Sequence, residues 1–320
     1  MTIYTLQRLL QAVPLLLALL VLNFVLIHAA PGDPIYLLAG QSGDATYYAE
    51  MRARFGLDRP LPEQLGRYLL NAARGEFGYS WAHSQPVFRV IADRLPATLL
   101  LTLTGLSLAT GLGVWAGAVA ARRADSPLDH VISVGTVVGY SMPAFWLGQV
   151  LIIVFAAGLG LFPVQGMTSA RGGYSGFRYA LDVLWHLVLP AVTLGLLQLA
   201  LVTRLTRTGL LDVLAEDYVR TARAKGLTAG AVLYHHALRN ALLPVVTVVG
   251  GHVGTLLAGA VLTEIIFAWP GLGRLLYDAT LARDYPLLMA IFLVVSTSVV
   301  VANLLTDLAY AALDPRVRYR

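Results

Sequence analysis

Six long apolar stretches, separated by polar and charged segments, set the pattern of this chain. A helix needs about 20 mostly apolar residues to cross the hydrocarbon core of a bilayer, and each stretch comes close to that length. Pro143 lies inside the third stretch, where it predicts a kink or a break. The pattern therefore predicts an all-α membrane protein in which residues 1–320 form a single transmembrane domain. The six expected spans are 9–28, 95–121, 131–157, 184–203, 241–263 and 285–306.

The first stretch follows Arg8 and precedes small residues, so it could be interpreted as a secretory signal peptide. Its apolar run is longer than a typical signal-peptide core. In addition, Ile27-His28-Ala29 lacks the small residue that opens an A-x-A cleavage site. We therefore expect a retained helix.

The placement of the basic residues predicts the orientation of the spans. Basic residues in short loops favour the cytoplasmic side of a membrane. With the N-terminus inside, the inner segments carry twelve basic residues and the short outer loops carry four. We therefore expect both termini in the cytoplasm, an extracytoplasmic segment at 30–94 and a cytoplasmic loop at 204–240.

The outer segment contains start and stop signals for short helices instead of the pattern of a separate folded domain. The three expected helices are 44–55, capped by Asp44 and ended by Gly56; a helix begun at Pro62 and ended by Gly75; and 87–95, joined to the second span by Pro96. These helices could form a docking surface for an external partner or a simple lid, and the sequence leaves both interpretations open.

The inner loop has the pattern of two short amphipathic helices. Apolar residues recur at helical spacing from Leu210 to Ala222, with charged residues on the other face. Gly226 follows Lys225 as a C-terminal cap, and Thr228 can cap a second short helix before Pro244 opens the fifth span. The paired signals predict a rigid, protruding element; the alternative is a solvated loop.

Composition excludes several chemistries. Only 13% of the residues are charged, against about 25% in ordinary soluble proteins, which agrees with a membrane protein. The absence of cysteine excludes disulfides, thiolate nucleophiles and zinc–cysteine sites. The net charge of +5 is less informative than its distribution, and we expect membrane lipid but no nucleic acid as a partner.

Lys225 is the only lysine in the chain. A Walker A phosphate loop needs a lysine followed by Ser or Thr, whereas Lys225 is followed by Gly226. The chain therefore cannot build that nucleotide site, and any ATP chemistry must come from another subunit.

Three pairs of small residues lie four positions apart inside the spans. In lipid, such pairs allow helix backbones to approach closely. We expect them to pack helices of this chain together, with contact to a second membrane subunit as the alternative. The pairs are Gly113 with Gly117, Gly135 with Gly139, and Gly250 with Gly254.

Other membrane chemistries fit the sequence less well. Gly173-Tyr174-Ser175-Gly176 matches the serine motif of rhomboid-like proteases, but it lies in a polar outer loop and the sixth span has no histidine base. No H-E-x-x-H string is present, so no metal site and no catalytic residue are expected. A secondary transporter stays open as an alternative, although no obvious proton relay lies inside the spans. Gln198 and Asn303 are candidates to line a translocation path, or else to hydrogen-bond neighbouring helices.

Several ordered strings resemble the inner-membrane permease family of ABC importers for dipeptides, oligopeptides, nickel and related solutes. The strings cover nearly the whole chain. They are FVLIH at 24–28 running into PGDP at 31–34, LPATL at 95–99, SMPAFWLG at 141–148, DYVRTARAKG at 217–226, HALRNALLP at 236–244, EIIFAWPGLG at 264–273 and DPRVRY at 314–319.

The resemblance implies a type I ABC importer permease fold in the bacterial cytoplasmic (inner) membrane. It also implies that the inner loop is the element that couples to the ATPase subunits. The general importer pattern there is Glu-Ala-Ala, three residues, then Gly; this chain has Arg220, Thr221 and Ala222 at the first positions and Gly226 at the last. The residues expected to couple are Asp217, Tyr218, Val219, Arg220, Thr221, Ala222, Arg223, Ala224, Lys225 and Gly226.

The resemblance further implies a set of partners. They are a similar but non-identical permease subunit, two ATPase subunits that bind ATP and Mg, and an extracytoplasmic solute-binding protein. No cofactor is expected in this chain. Short peptides are favoured as the solute because no Met or His cluster lines a span, with nickel or another small solute as the alternative.

Overall fold

The computed structural model describes residues 2–29, 35, 44–170 and 172–313, and their regular structure is helical apart from one isolated bridge between Tyr79 and Pro86. Two of the helices contain π-helical turns, at Ile152–Gly158 and Val232–Ala237. In chain order the helices are α1 (Thr2–Ala29), α2 (Ala45–Phe55), α3 (Leu61–Arg74), α4 (Val87–Arg122), α5 (Pro127–Ser141), α6 (Ala144–Gly158), α7 (Gly176–Leu214), α8 (Asp217–Ala224), α9 (Ala229–Ala241), α10 (Leu243–Ile266), α11 (Leu272–Leu281) and α12 (Tyr285–Leu313).

Three helices in the described part are long and apolar enough to cross a membrane: Val87–Arg122, Gly176–Leu214 and Tyr285–Thr306. Two bent pairs bring the number to five if each pair is one span. Helices α5 and α6 meet at 104°, and α9 meets the first part of α10 at 45°. Leu10–Leu26 of α1 forms a shorter apolar helix. The break expected at Pro143 is confirmed, because α5 ends at Ser141 and α6 begins just after the proline.

The chain divides into two compact units. The terminal unit comprises Met1–Thr98 with Pro270–Val301, and the central unit comprises Leu99–Trp269 with Ala302–Arg320.

The terminal unit is held by an apolar core and by a buried carboxylate. Val87, Val90 and Ile91 of α4 pack with side chains of α11 and α12. The fully buried Asp284 accepts hydrogen bonds from the Ser80 hydroxyl at 2.6 Å and from the Ala82 amide at 3.0 Å. Since a buried charge needs such partners, this contact attaches the loop before α4 to the start of α12.

The expected outer helices are largely confirmed. The Asp44 carboxylate accepts from the Tyr47 amide at 2.8 Å at the start of α2, and Gly56 ends that helix in the left-handed conformation. Gly75 ends α3 in the same way. The string PGDP at 31–34 lies outside the described residues.

The expectation of a separate helix at 87–95 is wrong, because α4 runs without a break through Pro96. A proline inside a helix leaves the carbonyl four residues earlier without its partner. Here Pro96 and Ala92 are both exposed, so the ring and that carbonyl lie on the outer side of the helix while Val90 and Ile91 stay buried.

The fourth span also continues beyond its expected end. Helix α7 runs through residue 203 to Leu214, so the first third of the predicted inner loop is part of a spanning helix. The helix expected from Leu210 to Ala222 is therefore two helices, separated by a turn at 215–216.

Small residues in the central unit allow close helix packing. A Cβ added to Gly117 would lie 2.6 Å from the Thr203 carbonyl oxygen, and one on Gly113 would lie 2.7 Å from Val202. A Cβ added to Gly250 would likewise overlap the side chain of Thr306. Internal packing is thus confirmed for Gly113, Gly117 and Gly250, whereas Gly254 lies outside the residues whose surroundings the structure describes.

The glycines of α5 do not show the close helix packing that the sequence predicts. Neither Gly135 nor Gly139 would place a Cβ within 4 Å of a described atom. They lie beside Val131 and Val138, whose side chains are also exposed. They line an open pocket with residues of α4 and α7, and no described side chain packs closely on these glycines.

We expect Gly117→Leu to destabilise the purified chain by about 1–3 kcal/mol, because the new side chain overpacks the contact with α7. Gly135→Leu makes the same chemical change at an open position, so its stability should stay near that of the wild type. Thermal unfolding of both variants in one detergent measures the difference, and equal midpoints would contradict close α4–α7 packing.

Candidate functional site

Helix α8 is anchored by one face and exposed on the other. Val219 and Ala222 are buried and pack with Val232 of α9, next to Val213 and Leu214 at the end of α7. A helix of eight residues is too short to be stable by itself in water. Packing against α7 and α9 therefore determines the position of α8.

Most of the predicted coupling residues form a continuous exposed surface. Only Val219 and Ala222 of the ten are buried. Arg220 and Asp217 form an ion pair at 3.4 Å, with 72% and 96% of their side chains exposed. Such a pair contributes little to stability, so both charges stay available to a partner. The exposed members are Asp217, Tyr218, Arg220, Thr221, Arg223, Ala224, Lys225 and Gly226.

Gly226 adopts the backbone conformation for which glycine is suited. Its φ is +82°, and its amide donates to the Arg223 carbonyl at 3.0 Å while the next amide, of Leu227, donates to Ala222 at 3.4 Å. This pair of bonds is the Schellman motif that ends helices. No described atom lies within 4 Å of a Cβ placed there, so the restriction comes from the backbone alone.

The second helix of the inner loop, α9, packs against α4 and α7. Thr228 caps its start by accepting from the Ala231 amide at 3.3 Å, as the sequence predicts. Leu233, Ala237 and Ala241 are buried against Leu210 of α7 and against alanines of α4. Helix α9 is therefore part of the packed core of the central unit.

Tyr218 links α8 to α9. Its hydroxyl accepts from the Asn240 side-chain amide at 2.8 Å and donates to the His236 carbonyl at 3.4 Å. These contacts join α8 to the far end of α9. The inner loop thus forms two helices that are joined at Gly226 and again at Tyr218, and a rigid, protruding element stays a prediction.

A salt bridge that the sequence analysis did not find involves α7, the helix that precedes this element. The Arg207 guanidinium donates two hydrogen bonds of 2.6 Å to Asp129, from Nε to Oδ1 and from Nη2 to Oδ2. Asp129 is 2% exposed and also accepts from the Asp125 amide at 2.9 Å. The bidentate pair holds the start of α5 against α7. The only sequence signal was one acid and one base near the ends of two apolar spans.

The two candidate path residues are not brought together with the predicted coupling residues. Gln198 is half-buried in α7 and Asn303 is exposed on α12. Neither side chain forms a hydrogen bond within the described part of the chain, so the alternative role in helix–helix hydrogen bonding is not observed there. Their place on a translocation path stays a prediction.

A concave surface in the terminal unit has a wall of aromatic side chains. It encloses about 750 Å³ and is lined by residues that include Phe24, His28, Tyr68, Trp81 and Tyr285. His28 stacks on Phe24 with ring centres 3.9 Å apart. Burial raises the pKa of Tyr68 to about 12, so its phenol stays neutral at physiological pH. The choice between a docking surface and a lid remains open for this segment.

The described sites offer charged and aromatic surfaces instead of a reactive centre. Among the residues whose side chains the structure describes, no three histidine or acidic side chains come together as the ligands of a metal ion would. The exposed charges of α8 suit contact with another protein.

Comparison with known proteins identifies the family to which the chain belongs. Residues 109–319 match the family described as binding-protein-dependent transport system inner membrane component, and residues 1–102 match the N-terminal model of the same group. The chain belongs to this family. The family resemblance noted from the sequence is confirmed, and this permease is an inner-membrane protein.

Full-length relatives have similar sequences. The permease is 41% identical to the dipeptide transport system permease protein DppB of Escherichia coli (strain K12), with 99% of each chain covered. It is 40% identical to the oligopeptide transport system permease protein AppB of Bacillus subtilis (strain 168), with 100% of each covered. It is 42% identical to the glutathione transport system permease protein GsiC of Escherichia coli (strain K12), with 99% of each covered.

Solved structures identify the fold. A chain of the MetNI methionine ABC transporter, from a study of its inward-facing conformations, superposes with a TM-score of 0.58 at 16% identity, covering 71% of this permease and 97% of that chain. At that identity the likeness concerns the fold alone, and it confirms the expected type I importer permease fold.

We expect Asp129→Asn to lower the free energy of unfolding of the permease by about 1–3 kcal/mol, because Arg207 loses its charged partner. Asp125→Asn is the matched control, since Asp125 bonds to Asp129 through its backbone amide. Unfolding midpoints in detergent compare the two variants. If the control lost as much stability as Asp129→Asn, the salt bridge would not be the contact that holds α5 to α7.

Proposed function

We propose that this chain is the membrane permease subunit of an ATP-driven importer for short peptides. The observation that carries the proposal is full-length similarity, at about the same identity, to permeases named for dipeptides, oligopeptides and glutathione. The shared chemistry of those solutes is a short chain with peptide-type amide bonds and charged ends. The uptake experiment below distinguishes short peptides from the alternative, nickel or another small solute.

The proposed topology has six spans and both termini in the cytoplasm. In it, α1, α4, α7 and α12 each cross once, and the bent pairs α5–α6 and α9–α10 supply the other two crossings. The segment 30–94 lies outside and the loop 204–240 lies inside, as the arginine distribution favours.

In this proposal, α8 and the turn at Gly226 form the contact with an ATPase subunit, and α9 holds them in place. Helix α7 supports the assignment, because it runs unbroken from its apolar part to Leu214, where α8 packs against its end. A force on α8 would therefore reach a spanning helix through packed side chains instead of a loop. The charges of Asp217, Arg220 and Arg223 would select the groove on the partner.

The rest of the assembly follows from the same proposal. A second, non-identical permease, two ATPases that bind ATP and Mg, and an extracytoplasmic solute-binding protein complete the importer. ATP-driven closure of the ATPases would pull the two coupling elements together and switch the paired bundles between two packed arrangements. The present chain would contribute binding surfaces and motion, and no catalytic group.

Reconstituted transport tests the substrate class. We expect the complete importer in liposomes, with its binding protein outside and ATP inside, to accumulate a labelled dipeptide or tripeptide, and unlabelled short peptides to compete. ATP-dependent accumulation of nickel without competition by peptides would contradict the proposal, as would peptide uptake driven by a proton gradient without ATP.

A pair of glycine variants tests the coupling element. Gly226→Val should reduce ATP-driven uptake at least tenfold, because a β-branched residue at φ +82° strains or displaces the turn by about 1–2 kcal/mol or more. Gly230→Val adds the same side chain to helix α9, where no described atom lies within 4 Å of the new Cβ, and uptake should remain close to wild type.

Membrane insertion should be normal in both glycine variants, and co-purification of the ATPase should fall in Gly226→Val alone. Normal uptake by Gly226→Val would contradict the assignment. Equal loss in both variants would indicate that the surface of the loop, and not its left-handed turn, is what matters.

A further inference from the structure

A groove between α5 and α7 has properties that the coupling role does not use. It encloses about 370 Å³. From α5 it is lined by residues that include Thr136, Val137 and Tyr140, and from α7 by residues that include Leu201, Arg204 and Thr208. Both helices belong to segments that are apolar enough to cross the membrane. In the proposed topology the groove therefore lies where α5 and α7 meet the cytoplasmic face of the membrane.

One end of the groove carries a positive charge without a counter-charge. Arg207 also lines it, but its guanidinium is neutralised by Asp129. Arg204 lies one turn before Arg207 on α7 and is exposed, and no described carboxylate pairs with its side chain. A guanidinium at the edge of a bilayer needs an anionic or hydrogen-bonding partner. The groove therefore presents one unpaired donor fork at its charged end.

The remaining wall of the groove is apolar in character. Val137 and Tyr140 are 59% and 62% exposed, so no described helix covers them. The hydroxyls of Thr136 and Thr208 donate to carbonyls of their own helices at 3.0 and 2.9 Å. Since those donors are used, the exposed surface of this wall, apart from the Tyr140 phenol, is largely carbon and suits a hydrocarbon chain.

We propose that this groove binds one anionic phospholipid, with its phosphate on Arg204 and an acyl chain along Val137 and Tyr140. Basic pockets between transmembrane helices, at the cytoplasmic side, are suited to anionic head groups. The bound lipid would bridge α5 and α7 next to the Asp129–Arg207 pair. It would thus support the helix that continues into the coupling element.

Native mass spectrometry of the purified, complete transporter tests the proposal without any transport step. We expect the wild type to retain phosphatidylglycerol through purification and, after delipidation, to bind it more tightly than zwitterionic phosphatidylcholine. Arg204→Gln should weaken phosphatidylglycerol binding about five- to tenfold, because one cationic contact is lost. Arg204→Lys, which keeps the charge, should retain most of the binding.

Arg239→Gln is the matched control, since Arg239 is an exposed arginine of the same inner segment that does not line the groove. It should bind phosphatidylglycerol like the wild type. Equal retention of the lipid by Arg204→Gln and wild type would overturn the proposal, and so would a wild type that binds both lipids equally.

Two further outcomes are decisive. If Arg204→Gln keeps the lipid but loses uptake of free-acid peptides relative to C-terminally amidated ones, the guanidinium serves the cargo and the lipid site is refuted. If Arg204→Gln fails to assemble, the comparison of Arg204→Lys with wild type and the preference of the wild type between the two lipids decide the matter. Because lipid binding is measured without ATP or peptide, its failure is separable from failure of the proposed transport function.

Discussion

The need to satisfy every backbone amide and carbonyl inside the bilayer is the constraint on which the rest of this structure depends. An unpaired polar backbone group in hydrocarbon costs several kcal/mol, so a chain that is 57% hydrophobic crosses as helices. Departures from regular α-helix are local. In the described part of the chain they include the 104° break at Pro143, the 45° bend between α9 and α10, and two π-helical stretches, one of which lies in α9.

In the central unit, α7 is the helix to which both α8 and α5 are attached. Because α7 continues without a break to Leu214, the exposed helix α8 is attached to a rigid rod by Val219 and Ala222. The Asp129–Arg207 pair adds a second attachment between α7 and α5. Three kinds of contact therefore meet within a few turns: apolar packing, a bidentate ion pair and the Schellman turn at Gly226. The proposed coupling role requires a short surface helix to be held in this way.

Features that depend on local backbone preference were predictable from the sequence. Asp44, Gly56, Gly75 and Thr228 act as the caps that their residue types favour, and Pro143 breaks its span. Features that depend on distant contacts were not. Asp129 and Arg207 are 78 positions apart, and no local pattern pairs them. The continuity of α4 through Pro96 depends on which face is exposed, and the open face of Gly135 and Gly139 depends on which helix packs beside it.

The most direct test of the central claim is photo-crosslinking from the exposed face of α8. Since the chain has no cysteine, Arg223→Cys provides one labelling site in it for a thiol-reactive photoprobe, and Arg74→Cys in α3 provides an exposed control in the outer segment. In the complete importer, residue 223 should crosslink to an ATPase subunit and residue 74 should not. Crosslinking of residue 223 to the solute-binding protein, or of residue 74 to the ATPase, would contradict the coupling role and the proposed orientation together.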